Sequence, residues 1–320
     1  MKILAVQNRM GIGDTIIFLP FIKALYKKFN SPISLLVKES SKANQYLYQT
    51  EYIDKILLLE RDNKNNSRHS GFFGSINLIK DLKKYNFDKI FIFNSSFRFY
   101  LISKLSGISE IHQYPLFQKN RQHITDAPRK FIKDELDLEV NEDPEIQIED
   151  KLTSQLIEKF QINKNEINIL LGVGGSGPTK RIPVKTFLSV ISKISKVKKC
   201  KFFLAAGKNN EEQNIIKEIL ESEYKSLCVP LDNFSIKETL PIIKNCNLSV
   251  CNDSSFSHLS AALGIKTITL MADTPLIYGS YSSKMFPIIP DGEKIVVHNT
   301  LGKEKINPQK IFDKIIEIVN

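Results

Sequence analysis

Residues 249–270 read SVCNDSSFSHLSAALGIKTITL, and the parsing of this stretch decides the fold. The apolar run Leu248-Ser249-Val250-Cys251 reads as a short buried strand, and Asn252-Asp253-Ser254-Ser255 breaks it. Phe256, Leu259 and Leu263 then recur at helical spacing, Gly264 stops the helix, and Ile265–Leu270 starts a second strand. Polar groups therefore gather at the C-terminal end of a parallel strand, the edge of an open α/β sheet where ligands bind. Unsatisfied N–H groups at the helix start favour a diphosphate there. His258 lies one helical turn beyond Ser254, so both side chains can face one loop. The plainer alternative for His258 is a histidine packed against the sheet.

The rest of the second half repeats this logic. Ile167–Val173 reads as a strand, and the loop Gly174-Gly175-Ser176-Gly177-Pro178-Thr179-Lys180-Arg181 follows. Helices are expected at Val184–Ser195, Glu211–Ser222, Ile236–Lys244 and Pro308–Val319, the last capped by Asn307. Strands are expected at Lys201–Ala206 and Leu227–Val229. The first half predicts strands at Lys2–Val6, Ser34–Val37, Lys55–Leu59 and Lys89–Phe93. Between and after them come helices at Asp14–Phe29 (bent or broken at Pro20), Ser41–Gln49, Ser75–Tyr85, Arg98–Leu105 and Pro128–Leu136. Asp62–Gly74 reads as a polar, mobile loop. Strands alternating with helices imply parallel sheets covered on both faces, an α/β protein of two similar halves. The composition shift at 134–150 and the Asp143-Pro144 step put the boundary near 145–160, giving domains 1–155 and 156–320.

A hydrophobic content of 42% excludes a disordered chain, and no apolar run approaches the length of a membrane helix. The N-terminus lacks a signal-peptide pattern, which predicts a cytoplasmic protein. Four cysteines without a C-x-x-C pair read as reduced and structural. Charge is uneven: residues 1–133 carry 22 Lys and Arg against 10 Asp and Glu, while 134–150 hold nine acids and no base. The basic first half suits an acidic partner or, more plainly, reflects solvated lysines. Nucleic acid is not expected, because no aromatic–basic stacking motif is present.

Asp14 after Gly11-Ile12-Gly13 is either a carboxylate placed to take a hydroxyl proton or a simple N-cap. Ile16 breaks the G-x-G-x-x-G dinucleotide pattern. Gly174–Lys180 lacks Walker spacing, yet its glycines admit backbone N–H groups to an anion and Lys180 can neutralise it. A flexible connector is the alternative. Glu211 and Glu212 open a helix, where they complement its dipole or meet the hydroxyls of a ribose.

Gly13-Asp14 with Pro20, Ile53-Asp54-Lys55-Ile56, Phe87-Asp88-Lys89-Ile90-Phe91, Lys180-Arg181-Ile182-Pro183 and Asn252-Asp253-Ser254-Ser255-x-x-His258-Leu259 occur in the order seen in one family. The chain resembles glycosyltransferase family 9, the ADP-heptose:lipopolysaccharide heptosyltransferases. The resemblance implies a GT-B architecture, two Rossmann-like domains facing a central cleft, with acceptor on the first and nucleotide-sugar on the second. It implies inverting, metal-independent transfer of a heptose-like sugar from an ADP-linked donor, with no cofactor, to an anionic lipid-linked saccharide at the inner-membrane surface. The residue roles follow by position. Asp14 becomes the general base and Lys180 the cation that offsets leaving-group charge. Gly175, Ser176, Ser254, Ser255 and His258 become diphosphate-lining groups, Glu211 the ribose ligand, and Asp253 a sugar contact or helix cap. Arg98, Arg121 and His123 become candidate acceptor contacts. The alternatives are another nucleotide-sugar serving O-antigen or capsule synthesis, or a non-catalytic nucleotide-binding relative. Three positions depart from the pattern: Ser255 replaces a glycine, Ile182 a tryptophan, and Ala272-Asp273-Thr274-Pro275 stands for G-P-T.

Overall fold

The structure, a computed structural model, describes residues 1–61, 67–116, 123–151, 154, 157, 160, 162–163 and 165–320. By its internal contacts the chain divides into two units, Met1–Gln147 and Ile148–Asn320.

The first unit holds five parallel strands, β1 (Ile3–Gln7), β2 (Ile33–Lys38), β3 (Ile53–Leu59), β4 (Lys89–Ile92) and β5 (Glu110–Gln113), in the order β3-β2-β1-β4-β5. The chain winds outward from β1 through β2 and β3, then returns to the other side of β1 for β4. Loops leaving β1 and β4 therefore part at their C-terminal ends, which is the topological switch point. Leu4, Val6, Ile90 and Ile92 face Leu78 and Leu82 of the helix Gly71–Lys83 and Phe99 and Ile102 of the helix Phe97–Leu105. The helix Ile12–Phe29 begins two residues earlier than expected, at a Gly11 N-cap with φ 97°. It also runs unbroken through Pro20, because burial of Ile16, Ile17, Phe18, Leu19, Phe21 and Ile22 outweighs one missing hydrogen bond.

Other local expectations are corrected in the same unit. The helix over Ser41–Gln49 is two 3₁₀ turns, Glu39–Ser41 and Ala43–Gln45, split at Lys42, whose φ of 49° cannot continue a helix. The helix expected from Ser75 starts at Gly71, so the end of the expected loop is helical; 62–66 lie outside the described residues. The acidic segment is tied to the helix Ile12–Phe29: Lys27 Nζ meets Glu142 Oε1 at 2.5 Å and Lys23 pairs with Glu145. Tyr52 Oη donates to the Glu145 carbonyl at 2.6 Å, and Val140 and Ile146 are buried beneath.

The second unit holds β6 (Ile167–Gly172), β7 (Cys200–Ala205), β8 (Cys228–Pro230), β9 (Leu248–Asn252), β10 (Thr267–Leu270) and β11 (Met285–Ile288), all parallel, in the order β11-β10-β9-β6-β7-β8. Its switch point lies between β6 and β9. One face of β6, β7, β9 and β10 packs on the helices Val184–Ser195, Asn210–Leu220 and Pro308–Val319. Asn307 caps the last of these, its side chain accepting from the Gln309 N–H at 2.8 Å. Ile182, the tryptophan substitute, is fully buried in this core. β5, with Ile111 as its one apolar residue, and β11, interrupted by Pro287, are four-residue edge strands paired on one side, where the proline is tolerated. All four cysteines are buried and unpaired in this unit, and burial raises each thiol's pKa, to about 11 for Cys200 and about 12 for Cys251. Among the described residues no helix is long and apolar enough to cross a membrane.

Gly174 sits where β6 meets β7. A Cβ there would come 1.9 Å from Glu212 Oε2 and 3.1 Å from Ala206 Cα. That carboxylate accepts the Gly207 N–H at 2.6 Å. Gly174→Ala is therefore expected to displace Glu212 and strand its partners, lowering stability by about 1–3 kcal/mol in urea denaturation.

Candidate functional site

Because β10, β9, β6 and β7 are neighbours, the loops leaving their C-terminal ends share one edge of the second sheet. The loop after β6 is folded by its own cations: Arg181 Nε donates to the Gly175 carbonyl at 3.0 Å, and its guanidinium pairs with Glu211. Lys180 N–H closes a turn onto the Gly177 carbonyl at 3.1 Å. After β7, Asn209 caps the helix Asn210–Leu220 and Glu212 is drawn inside. After β9, Asn252 Nδ2 donates across the switch point to the Val173 carbonyl at 2.8 Å, leaving its buried Oδ1 without a protein partner. After β10, Asp273 Oδ1 accepts the Leu301 N–H at 2.8 Å.

Lys180 and Asp253 meet at the switch point, Nζ to Oδ2 at 2.6 Å. Asp253 is buried, whereas the Lys180 side chain is 24% exposed, so the ammonium has one side on the protein and one on solvent. Burial alone would raise the Asp253 pKa; the Lys180 charge reverses this and holds the carboxyl below its ordinary range. Ser254, not Asp253, occupies the N-cap position of the helix Ser255–Ala262, and its buried Oγ has no protein partner. Ser255 is the first residue of that helix, partly buried. His258 follows one turn later, 5% exposed, with Nε2 4.0 Å from Asp253 Oδ1 and Nδ1 2.8 Å from Tyr281 Oη. The His258 and Tyr281 rings stack with centroids 5.6 Å apart. Burial pushes the imidazole pKa down to about 4 against the pull of Asp253, so His258 is neutral at pH 7.

Of the expected donor-site residues, the structure thus gathers Gly175, Lys180, Asp253, Ser254, Ser255 and His258 at the edge shared by β6 and β9. Ser176 is an exposed member of the same loop. Glu211 is 71% exposed and engaged by Arg181. Its neighbour Glu212 is the buried carboxylate, distinguishable in the sequence only by its place three residues after Asn209, the spacing of a capping box. Tyr281 was not legible at all, since it lies 23 residues beyond His258 in an irregular segment.

In the first unit, Asp14 is not the N-cap but the third residue of its helix; Gly11 holds the cap. Asp14 Oδ2 lies over Gly11, 3.8 Å from where a Cβ would stand, at the C-terminal edge beside the β1/β4 switch point. Gln7 Nε2 donates to the Asp14 carbonyl at 3.3 Å, and Asn94 Nδ2 to Asn8 Oδ1 at 3.3 Å across the switch point. Arg98 joins two helix starts, donating to Ser75 Oγ at 2.8 Å and to the His69 carbonyl at 2.6 Å. His123 Nδ1 accepts the Asp126 N–H at 3.3 Å, at the start of the helix Asp126–Leu136. Arg121 lies outside the described residues. Among the described residues no three His, Cys, Asp or Glu side chains cluster as a metal site.

Residues 76–315 match the model of glycosyltransferase family 9 (heptosyltransferase). The chain is 26% identical to the lipopolysaccharide heptosyltransferase 1 of Campylobacter coli, over 95% of this chain and 93% of that protein. Its fold is that of the E. coli ADP-heptose lipopolysaccharide heptosyltransferase II (TM-score 0.75, 16% identity, 99% of this chain and 98% of that one). It also matches E. coli heptosyltransferase WaaC solved with ADP (TM-score 0.73, 15% identity, all of both chains). The fold class is therefore two parallel-sheet α/β units of the GT-B type.

Burial of neutral His258 has a measurable cost in acid. Between pH 6.5 and 4 the unfolded chain binds a proton at this position that the folded chain does not, so stability falls as pH is lowered through that window. The loss should reach about 2–3 kcal/mol between pH 7.5 and 4.5. Asp253, with its depressed pKa, stabilises the fold above the ordinary carboxylate range, and that contribution is lost only as pH falls below it. Urea denaturation at each pH should show this slope shrinking in His258→Gln.

Proposed function

This chain belongs to glycosyltransferase family 9, the heptosyltransferases, and from that membership we propose that it transfers a heptose-like sugar from ADP-heptose to an anionic, lipid-linked saccharide of the lipopolysaccharide core. The observation that carries the donor half is the Lys180 ammonium at the β6/β9 switch point beside the start of the helix Ser255–Ala262. A cation and free helix N–H groups together suit a nucleoside diphosphate. ADP is favoured because the solved relatives were named for, or solved with, adenine nucleotides.

In this mechanism the Asp14 carboxylate takes the proton of the acceptor hydroxyl. The oxygen attacks the anomeric carbon from the face opposite the diphosphate, the C–O bond to phosphate breaks, and configuration inverts. Negative charge grows on the departing ADP, where Lys180 and the helix N-terminus stabilise it. Lys180 has three N–H donors and gives one to Asp253, so Asp253 aims the ammonium rather than consuming it. No metal or cofactor takes part. Neutral His258 offers a hydrogen bond without adding charge, and Ser254 and Ser255 offer hydroxyls at the helix start. Glu211 reaches a ribose by exchanging Arg181 for the vicinal hydroxyls. Arg98, Arg121 and His123 serve the anionic acceptor, and the enzyme works at the cytoplasmic face of the inner membrane.

Asp14→Asn should lower kcat by about 10²–10⁴ with little change in donor affinity. Lys180→Ala should lower kcat by about 10²–10³, the scale of one lost electrostatic stabiliser. Unchanged turnover in both variants would remove the mechanism.

One observation favours a second donor: Ser255 places a Cβ and hydroxyl at the first helical position, where the family pattern has glycine. A thermal-shift panel separates the readings. ADP-heptose should raise Tm by several degrees, about 3–6 °C at a hundredfold excess over Kd, while UDP-, GDP- and CMP-sugars should not. Stabilisation by one of the others alone would reassign the donor.

A further inference from the structure

Five large apolar side chains of the first unit stand in solvent along one part of its surface. Met10 is in the loop after β1, Phe72 and Phe73 open the helix Gly71–Lys83 that comes after β3, and Phe97 and Leu101 lie on the helix that follows β4. All three connections leave the C-terminal ends of their strands, the edge that also carries Asp14. Phe72 and Phe73 are 77% and 78% exposed, rings edge-on at 5.8 Å. Phe97 and Leu101 repeat at i, i+4, and Phe97 stacks with Tyr100. Leu78, Leu82, Phe99 and Ile102, on the same two helices, turn into the core beneath. Arg98 fastens the two helix starts to each other, so the aromatic groups are held on one rigid ledge.

A ledge of exposed phenylalanines carries a solvation penalty that a water-facing surface has no reason to keep. Its surroundings indicate what relieves it. Arg61 and Arg68 lie in the connection that leads to Phe72 and Phe73, and Arg98 follows Phe97. Arg61 lies close enough to Arg98 to lower the Arg98 pKa further, after the larger effect of burial. Protruding aromatic and aliphatic groups beside three arginines match an interface with acyl chains below and anionic headgroups above. A second copy of the chain is disfavoured, since a two-fold contact would press two basic faces together.

We propose that Phe72, Phe73, Phe97 and Leu101 form a membrane-docking ledge that inserts into an anionic lipid surface and brings the acceptor edge of the first unit to it. This deepens the lipid-acceptor reading above and rests on it for the choice of lipid.

The chain contains no tryptophan, so Phe73→Trp introduces a single indole. Its emission should shift to the blue on adding vesicles of phosphatidylcholine with about a quarter phosphatidylglycerol, and much less with phosphatidylcholine alone. Val197→Trp, exposed in the second unit, should not shift. The double variant Phe72→Ser/Phe73→Ser should lose co-sedimentation with the anionic vesicles by about tenfold or more. It should keep wild-type transfer to a deacylated, water-soluble acceptor. An unshifted indole, undiminished co-sedimentation, or a dimer that the same substitutions dissolve would each overturn the ledge. Phenylalanine-dependent vesicle binding without transfer to any saccharide would keep the ledge and overturn the acceptor reading.

Discussion

The contact between Lys180 and Asp253 is the constraint on which the second unit's working edge depends. It spans the switch point between β6 and β9, where no strand-to-strand crossover joins the two loops directly. A buried carboxylate there is tolerable only with a cation against it, and a lysine in that loop is aimed only if something fixed holds it. Each residue thus supplies the other's missing condition. Asn252 reinforces the join by bonding to Val173, and His258 stays neutral beside the pair.

Adjacent carboxylates show how strongly position governs role. Glu211 and Glu212 are chemically the same, yet one lies on the surface against Arg181 and the other is folded under the β6/β7 edge. The difference comes from the helical turn: 100° of rotation sends one side chain outward and the other inward. Gly174 is the complement of that inward turn, since only a residue without Cβ fits against the Glu212 carboxylate.

Most of the architecture was legible because its elements are long and periodic. The strand–loop–helix at 248–262 and the helix Val184–Ser195 lie where the apolar spacing put them. The edge strands β5 and β11 were not legible, because β5 has one apolar residue and Pro287 in β11 reads against a strand. Nor was the continuity of the helix through Pro20, which tertiary burial decides. The residues gathered at the β6/β9 edge could be listed from motif spacing, but not their pairings: Asp253 was open to a capping role, and in the fold Ser254 caps the helix while Asp253 takes Lys180. Tyr281 and the ledge at Phe72 and Phe73 depend on contacts between distant segments or on exposure, and linear spacing encodes neither.

The cysteines give the molecule an asymmetry of another kind. All four thiols sit on or beside strands β7, β8 and β9, and none occurs before residue 200. Buried and protonated at neutral pH, they are screened from electrophiles while the second sheet stays closed. Alkylation of the native chain therefore keeps time with the opening of the second unit and is blind to the first.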